Sequence, residues 1–369
     1  MLGAFSLKAA AEDETQDTVG LSAPSALLMD EETGKVLFQK NAHEKRPCAS
    51  ITKVMTLCLV FEAIEEGKLG YDTVVTASPI AAAQDGSDIW LVEGEQMTVD
   101  DLLKAVVVVS ANDAAVALAE AVSGTQGAFV SEMNKKAKLL GMNDTVFKNC
   151  NGLDEEGHLT SAYDVALMSR ELMKHERVFD YASIWLDYIR DGATQLVNTN
   201  RLVKSYDGIT GLKTGTTSLA GACISATAKR GSMSLIAVIL GDKTTDERFS
   251  DAETLLDYGF GSFSSYSPVL PEELPDCITV TNGMRPSIGL ECVPDTAFLI
   301  KNGDEENIKA ELSITDELEA PVELGQRVGS VTYKVGSDVL GEFPVTAAES
   351  VDKINFADVF TLLLMSFVC

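Results

Sequence analysis

Histidines and paired cysteines are scarce in this sequence, and their scarcity argues against two common kinds of site. The 369 residues include three histidines, His43, His158 and His175, and none of them lies in an H-E-x-x-H pattern. A catalytic zinc and a Ser-His-Asp triad are therefore disfavoured. None of the seven cysteines forms a C-x-x-C motif, which argues against a zinc or redox site. We expect no metal and no cofactor, and whether Cys277 and Cys292 form a disulfide stays open.

Basic residues are also few compared with acidic ones. The chain has 29 Lys and Arg against 56 Asp and Glu, a formal net charge of −27. A protein that binds nucleic acid needs clustered Lys and Arg to neutralise phosphates, so we expect no nucleic-acid partner. The hydrophobic content of 46% and charged content of 23% are those of a folded globular protein and not of a disordered chain.

Long hydrophobic runs are missing as well. No stretch approaches the roughly 18 apolar residues that a membrane-spanning helix needs. Residues 1–20 contain a short apolar piece followed by three alanines, which predicts the remnant of a secretory signal, with a disordered leader as the alternative. Residues 351–369 predict an amphipathic helix, because apolar side chains recur at i, i+3 and i+4. Such a helix lies in a membrane interface, docks on a neighbouring domain, or begins a longer anchor.

Strand and helix patterns divide the rest of the chain into two domains. Residues 21–265 predict an α/β (α+β) domain in which helices pack on an antiparallel sheet. Residues 266–350 are rich in proline at their start and then in short strand-like runs, which predicts a small all-β domain. Asn151 and His158, in the loop between two helical stretches, are interpreted as structural residues.

The segment "PCASITKVMTLCLVFEA" predicts a buried helix with an unusual start. Ser50 and Lys53 are three residues apart, so their side chains lie on one face of a helix that is otherwise apolar nearly all round. Lysine is among the residues least often buried. Taken alone, Ser50 would be a helix cap with Lys53 reaching to solvent, and Ser350 with Lys353 has the same spacing by accident.

Two further motifs change that interpretation. Ser110-Ala-Asn112 and Lys213-Thr-Gly215 follow in this order, on a helix-flanking loop and on a strand, and each occurs once. The three motifs together form the signature of serine penicillin-recognising enzymes. With "TGKVLFQKNAHEKRPCASITKVMT", "SANDAAVALAE" and "GITGLKTGTTSLAGACISATA", the chain closely resembles the D-alanyl-D-alanine carboxypeptidases among the low-molecular-mass penicillin-binding proteins, over about residues 20–262.

This resemblance implies a β-lactamase/transpeptidase-like fold and an extracytoplasmic protein associated with the cell membrane or cell wall. It implies a peptidoglycan stem peptide as substrate, cleaved between two terminal D-alanines, and β-lactam antibiotics as covalent inhibitors. The position after the Lys-Thr-Gly motif is Thr216, where some members carry histidine, which leaves the substrate preference open.

The resemblance also assigns catalytic roles. Ser50 is expected to attack the carbonyl of the terminal D-Ala–D-Ala bond, with Lys53 as general base. Ser110 is expected to relay a proton to the leaving amine, and Asn112 to hold the substrate amide and Lys53. A lysine can act as base only if its pKa falls toward neutral, which burial and a second cation such as Lys213 would both favour.

The remaining candidate residues are expected to bind substrate. Lys213 would attract the terminal carboxylate, and Thr214 would donate a hydrogen bond. Gly215 would let the substrate approach the strand edge, where a Cβ would obstruct it. The backbone N–H groups of Ser50 and Thr216 would form the oxyanion hole, and Arg248 would be a second carboxylate contact.

The sequence leaves two alternative functions open, and it also leaves the role of Arg248 open. A β-lactamase shares the acylation chemistry, but no E-x-x-L-N segment lies between Asn112 and Lys213. A non-catalytic cell-wall-binding protein is the other alternative, although all the motif residues are intact. Arg248 could instead be a surface residue paired with Glu247 or Asp251.

Overall fold

The computed structural model describes residues 19–360 of the chain. The leader predicted over residues 1–20 therefore lies almost entirely outside the described residues, and so do residues 361–369 of the predicted terminal helix. The chain forms two compact units that meet in sequence between Gly261 and Ser262. Within the described part, none of the helices is long and apolar enough to cross a membrane.

The strands and helices of the first unit are β1 (Ser25–Asp30), β2 (Val36–Lys40), α1 (Lys53–Glu65), β3 (Val74–Thr76), α2 (Pro79–Ala82), β4 (Gln96–Thr98), α3 (Val99–Val108), α4 (Asn112–Ser123), α5 (Gln126–Leu139), α6 (Ala162–Met173), α7 (Val178–Ala182), β5 (Leu186–Ile189), β6 (Thr194–Val197), α8 (Leu202–Ser205), β7 (Ile209–Thr217), β8 (Gly221–Arg230), β9 (Met233–Asp242) and α9 (Thr245–Ser262). The main sheet has five antiparallel strands in the order β2-β1-β9-β8-β7. Two small sheets have two strands each, β3 with β4 and β5 with β6.

The sheet is covered on both faces, which its sequence anticipates. Nearly every residue of β1 and β9 is apolar and buried, the pattern of strands packed on both sides. Leu27 belongs to the core shared with the large helices, while its neighbour Leu28 lies against Gly259 of α9. Successive side chains of a strand point to opposite faces, so β1 joins the two layers. The predicted antiparallel sheet flanked by helices is confirmed.

Helix α1 runs through the main core of this unit. Leu57, Val60 and Phe61 are each at most 1% exposed, and burying such a side chain contributes about 1.5–3 kcal/mol. These gains offset the cost of burying the lysine at the start of the helix. The sequence predicted that the helix begins at Ser50, but Ser50 lies in a 3₁₀ turn, Ala49–Thr52, and the α-helix begins at Lys53.

The strand that carries the Lys-Thr-Gly motif, β7, is at the edge of the sheet. It pairs with β8 on one side, and it also contacts the 3₁₀ turn. Helix α4 begins at Asn112, two residues after Ser110, and packs against α1. The three motifs, far apart in sequence, therefore meet at the N-terminal end of the buried helix α1.

The second unit is rich in β-structure. Its strands are β10 (Phe263–Tyr266), β11 (Cys277–Thr281), β12 (Ser287–Glu291), β13 (Phe298–Lys301), β14 (Ile308–Ile314), β15 (Glu317–Glu319), β16 (Arg327–Val335) and β17 (Asp338–Ala347). Six of them form a sheet in the order β14-β16-β17-β12-β11-β15, and β10 pairs separately with β13. Cys277 is exposed and Cys292 is buried, and both are free thiols, so the open question of a disulfide between them is answered in the negative.

Candidate active site

Ser50 and Lys53 face each other at the start of α1. The Nζ of Lys53 lies 2.9 Å from the Oγ of Ser50. Lys53 is fully buried, whereas Ser50 is half-buried. The 3₁₀ turn passes directly into the α-helix, so residues three apart project to the same side.

Lys53 has two further hydrogen-bond partners, and both are carbonyl oxygens. Its Nζ donates to Oδ1 of Asn112 at 2.6 Å and to the backbone oxygen of Asn151 at 2.7 Å. A carbonyl oxygen can only accept, so each of these contacts needs an N–H of the amine. A neutral amine has two N–H bonds and one lone pair. In the neutral state its lone pair is therefore directed at the hydroxyl of Ser50, the geometry a general base requires.

The charge state of Lys53 follows from its burial. Burial lowers the pKa of Lys53 from 10.5 to about 7, because the ammonium form loses its hydration; nearby groups, Asp113 among them, oppose this only in part. A substantial fraction of the amine is then neutral at physiological pH. The sequence-based requirement for a base of lowered pKa is met mainly by desolvation.

Lys213 is a second buried amine next to the first. It is 1% exposed, and its Nζ donates to the backbone oxygen of Thr214 at 3.0 Å. Burial, followed by the positive charges of Lys53 and Arg248, lowers the pKa of Lys213 well below its usual value. The ammonium of Lys53 thus lowers the pKa of Lys213, whereas the lowered pKa of Lys53 itself is due to burial.

Ser110 is buried and its hydroxyl is unused. It is 5% exposed, its φ is +65°, and its Oγ has no hydrogen-bond partner among the described residues. A left-handed backbone is unusual for serine, and an unpaired buried hydroxyl costs free energy. The structure does not bond Ser110 to Lys53 or Lys213, so this hydroxyl is available for a bound substrate.

Gly215 is required by the protein itself and not only by an incoming substrate. A Cβ at this position would lie 2.8 Å from both the backbone oxygen of Cys48 and the backbone nitrogen of Ser50. The expected role of Gly215 in giving the substrate room stays a prediction, and the structure adds a second reason for a glycine here. The glycine lets β7 pack directly on the turn that carries Ser50, while Thr214 donates from Oγ1 to Oγ1 of Thr199 at 2.7 Å.

Arg248, near the start of α9, lies behind the same strand. It is 4% exposed, and its Nη1 donates to the backbone oxygen of Gly215 at 3.2 Å and to Oγ1 of Thr216 at 3.0 Å. Burial lowers its pKa to about 10. Within residues 19–360 it forms no ion pair with Glu247 or Asp251, so the surface-residue alternative does not describe its position.

The loop after α5 contributes a contact that the sequence reasoning missed. Asn151, interpreted as structural, supplies through its backbone oxygen one of the two acceptors for Lys53. Gly152, at φ +87°, packs so closely that a Cβ there would lie 2.0 Å from the backbone oxygen of Ala49. A backbone carbonyl carries no residue signature, and the only signal in the sequence was the glycine that follows it.

His158 fastens the same loop to the serine turn. Burial lowers its pKa to about 4, so the ring is neutral near pH 7. Its Nδ1 accepts from the backbone N–H of Lys148 at 3.2 Å, which leaves the proton on Nε2 to be donated to Oγ1 of Thr52 at 2.8 Å. His158 is thus a structural residue, and among the described residues no group of three or more His, Cys, Asp or Glu side chains is placed to hold a metal ion.

Comparison with known proteins extends over both units. Residues 10–244 match the family described as D-alanyl-D-alanine carboxypeptidase, and residues 272–353 match the C-terminal domain of penicillin-binding protein 5. The D-alanyl-D-alanine carboxypeptidase DacF of Bacillus subtilis is 40% identical over 362 residues, which cover 96% of this chain and 93% of that protein.

Solved structures agree with the sequence relatives. Penicillin-binding protein 5 from Haemophilus influenzae superposes with a TM-score of 0.78 at 29% identity, over 90% of this chain and 98% of that one. Penicillin-binding protein D2 from Listeria monocytogenes, in its ampicillin-bound form, superposes with a TM-score of 0.60 at 34% identity, over 65% of this chain and 98% of that one. These neighbours confirm the predicted transpeptidase-like fold with a small second β-domain, and the chain therefore belongs to the serine D-alanyl-D-alanine carboxypeptidases, the low-molecular-mass penicillin-binding proteins.

Proposed function

We propose that Ser50 is the nucleophile of this carboxypeptidase and that Lys53 is its general base. The observation that carries the proposal is the arrangement around the Nζ of Lys53, where two carbonyl oxygens occupy its N–H bonds and the hydroxyl of Ser50 faces the remaining position. As Oγ attacks the carbonyl carbon between the two D-alanines, its proton passes to Nζ.

The departing D-alanine must leave as an amine and therefore needs a proton. Ser110 is proposed to relay the proton from Lys53 to the leaving nitrogen, a role supported by its buried hydroxyl without a partner among the described residues. The C–N bond then breaks and an ester to Ser50 remains. Water attacks this acyl-enzyme, the shortened peptide leaves, and Ser50 regains its proton.

Substrate binding is proposed along the free edge of β7. The buried amine of Lys213 and the guanidinium of Arg248 favour a carboxylate nearby. The hydroxyl of Thr214, which donates to Thr199 in this structure, would turn to donate to the substrate. The backbone N–H groups of Ser50 and Thr216 would stabilise the oxyanion, since Gly215 brings the strand against the serine turn. Asn112, held by Lys53, would orient the substrate amide.

We propose the pentapeptide stem of peptidoglycan as the substrate and an extracytoplasmic location for the protein, in which residues 21–265 act as the catalytic domain and residues 266–350 as an accessory domain. The terminal helix is proposed to touch the membrane surface peripherally. Phe356 is 85% exposed and Phe360 is 55% exposed, so apolar rings are presented at the start of that helix.

The proposed roles predict the outcome of one assay with a matched control. The wild-type protein should release D-alanine from diacetyl-Lys-D-Ala-D-Ala, and Ser50→Ala should lower this release to background because no acyl-enzyme can form. Ser350→Ala is the control, since exposed Ser350 has the same spacing to a lysine, and it should retain full activity. No release by the wild type, or full release by Ser50→Ala, would refute the proposal.

The lifetime of the penicillin adduct separates this enzyme from a β-lactamase of the same fold. The chain has no E-x-x-L-N segment between Asn112 and Lys213 to activate a deacylating water as in class A β-lactamases. Penicillin should therefore remain bound to Ser50 for far longer than one carboxypeptidase turnover. Rapid steady hydrolysis of penicillin would favour the β-lactamase instead.

A further inference from the structure

The loop after α2 contacts both of the residues whose carbonyl oxygens accept hydrogen bonds from Lys53. This loop, residues 84–87, is polar and lies at the surface, and the motifs of the sequence give it no role. Its first residue, Gln84, bonds to Asn151 through its side chain, and the next residue, Asp85, bonds to Asn112 through its backbone. Asn112 and Asn151, which accept the hydrogen bonds of Lys53, are therefore both held by adjacent residues of one loop.

Asn112 is held in a single orientation. Its Nδ2 donates to the backbone oxygen of Asp85 at 2.6 Å, and its backbone N–H donates to the oxygen of Ser87 at 2.6 Å. Since the carbonyl of Asp85 can only accept, the amide nitrogen of Asn112 must face it, and its Oδ1 must face Lys53. Gly86 completes this approach with φ +95° and allows the loop to pass close to the amide.

Asn151 is held by a relay of side-chain amides. Nε2 of Gln84 donates to the backbone oxygen of Ile80 at 2.9 Å, which directs Oε1 of Gln84 toward Asn151. Nδ2 of Asn151 donates to that oxygen at 2.7 Å, and its Oδ1 accepts from the backbone N–H of Leu153 at 3.2 Å. Backbone groups at both ends fix the direction of every amide, and Asn151 is 1% exposed.

We propose that Gln84 is a positioning residue for the general base: it holds Asn151 so that the backbone oxygen of that residue occupies one N–H of Lys53. The proposal rests on the proposed role of Lys53. Within residues 19–360, Gln84 forms no hydrogen bond with Ser50 or with the amine of Lys53, so it acts through Asn151.

The chemical consequence concerns the direction of one proton. If the oxygen of Asn151 moves away, a neutral Lys53 keeps a free N–H, and the nearest remaining acceptor is Oγ of Ser50. Ser50 would then accept a hydrogen bond from the amine instead of donating one, and its proton would point away from the base. Misdirecting one proton is enough to slow acylation even when all the catalytic residues remain.

Two variants of Gln84 test this role through the rate constant for acylation by benzylpenicillin, measured between about pH 5 and about pH 10. Gln84→Met keeps the length of the side chain but breaks both amide contacts, and it should lower the rate constant by roughly 10–100-fold at every pH, as a misplacement of about 1 Å does. The control Gln96→Met changes an exposed glutamine on β4 and should leave the rate unchanged.

Gln84→Glu provides a second readout, the pH of the acidic limb, which a loss of structure alone does not change. A carboxylate in place of the Gln84 amide stabilises the ammonium form of Lys53 and should shift the acidic limb of the pH profile upward by about one unit. The other titratable groups that interact with Lys53 are Asp113, Cys48, Cys150 and Lys213, and both variants leave them in place.

Either of two results would overturn the proposal: a wild-type rate constant for Gln84→Met, or an unshifted acidic limb for Gln84→Glu. If Gln84→Met melts at a much lower temperature than the wild type, its slower acylation could come from unfolding. The position of the acidic limb in Gln84→Glu is then the deciding result. Failure of the proposed function gives different results. In that case the wild-type enzyme would show no acidic limb, or the Ser50→Ala variant would be acylated as fast as the wild type.

Discussion

Replacing Lys53 by methionine is expected to slow acylation by benzylpenicillin by about 10³-fold, within the range that positioned general bases contribute. The amine lies 2.9 Å from Oγ of Ser50 and is the nearest group that can take its proton. Methionine fills a similar volume in the core without a base. The measurement is the acylation rate constant at neutral pH, followed by the appearance of the covalent adduct in intact mass.

The control for this variant is Lys138→Met, which removes an exposed lysine from α5 and should acylate at the wild-type rate. Lys53→Met itself should melt cooperatively, because α1 keeps its buried apolar residues. If a folded Lys53→Met enzyme acylates as fast as the wild type, then Lys53 is not the base.

Acylation by the wild-type enzyme is expected to rise with pH through an apparent pKa near 7, the value to which burial lowers Lys53. Well below that pKa the rate should fall about tenfold per pH unit, which gives a fall of roughly 50-fold between pH 7 and pH 5, since only the neutral amine accepts the proton. Lys53→Met should lose this limb. A flat wild-type profile, or an unchanged limb in Lys53→Met, would contradict the assignment.

The lowered pKa of Lys53 also makes the stability of the protein depend on pH. Lys53 has a folded-state pKa of about 7, and its unfolded value is 10.5. Between these values the unfolded chain binds more protons, so this group makes the free energy of unfolding increase as the pH rises from about 7 to about 10.5. The cost of burying Lys53 is thus greatest at and below neutral pH, where the enzyme carries the ammonium.

Much of the fold could be predicted because the apolar patterns are strong. The buried run after Ser50 and the three strands of residues 209–242 show the periodicity of a core helix and of two-sided strands, and the structure has both. The start of α1 was placed three residues too early, because a 3₁₀ turn and an α-helix put side chains three apart on the same face.

The site was predictable as far as it depends on side-chain identity. Ser50, Lys53 and Asn112 are brought together by hydrogen bonds, whereas Ser110 lies buried nearby without one to the two lysines. The backbone oxygen of Asn151 and the amide of Gln84 were missed, because a backbone acceptor has no sequence signature and a loop glutamine has many uses.

Gly215 shows a different limit of the sequence. Room for substrate at the strand edge was the expected reason for this glycine, and the structure adds a second reason, the close contact of Gly215 with the serine turn. The sequence cannot show which atoms pack against Gly215, because Cys48 and Ser50 lie more than 150 residues earlier in the chain.

The central claim, that Ser50 is the acylated nucleophile, is tested most directly by locating the penicillin adduct in the polypeptide. Peptide mass mapping of penicillin-treated protein should find the added mass on residues 46–53, where Ser50 is the only serine. The adduct should be absent from the Ser50→Ala variant and present in Ser350→Ala. An adduct on another segment, or one that persists in folded Ser50→Ala, would contradict the account.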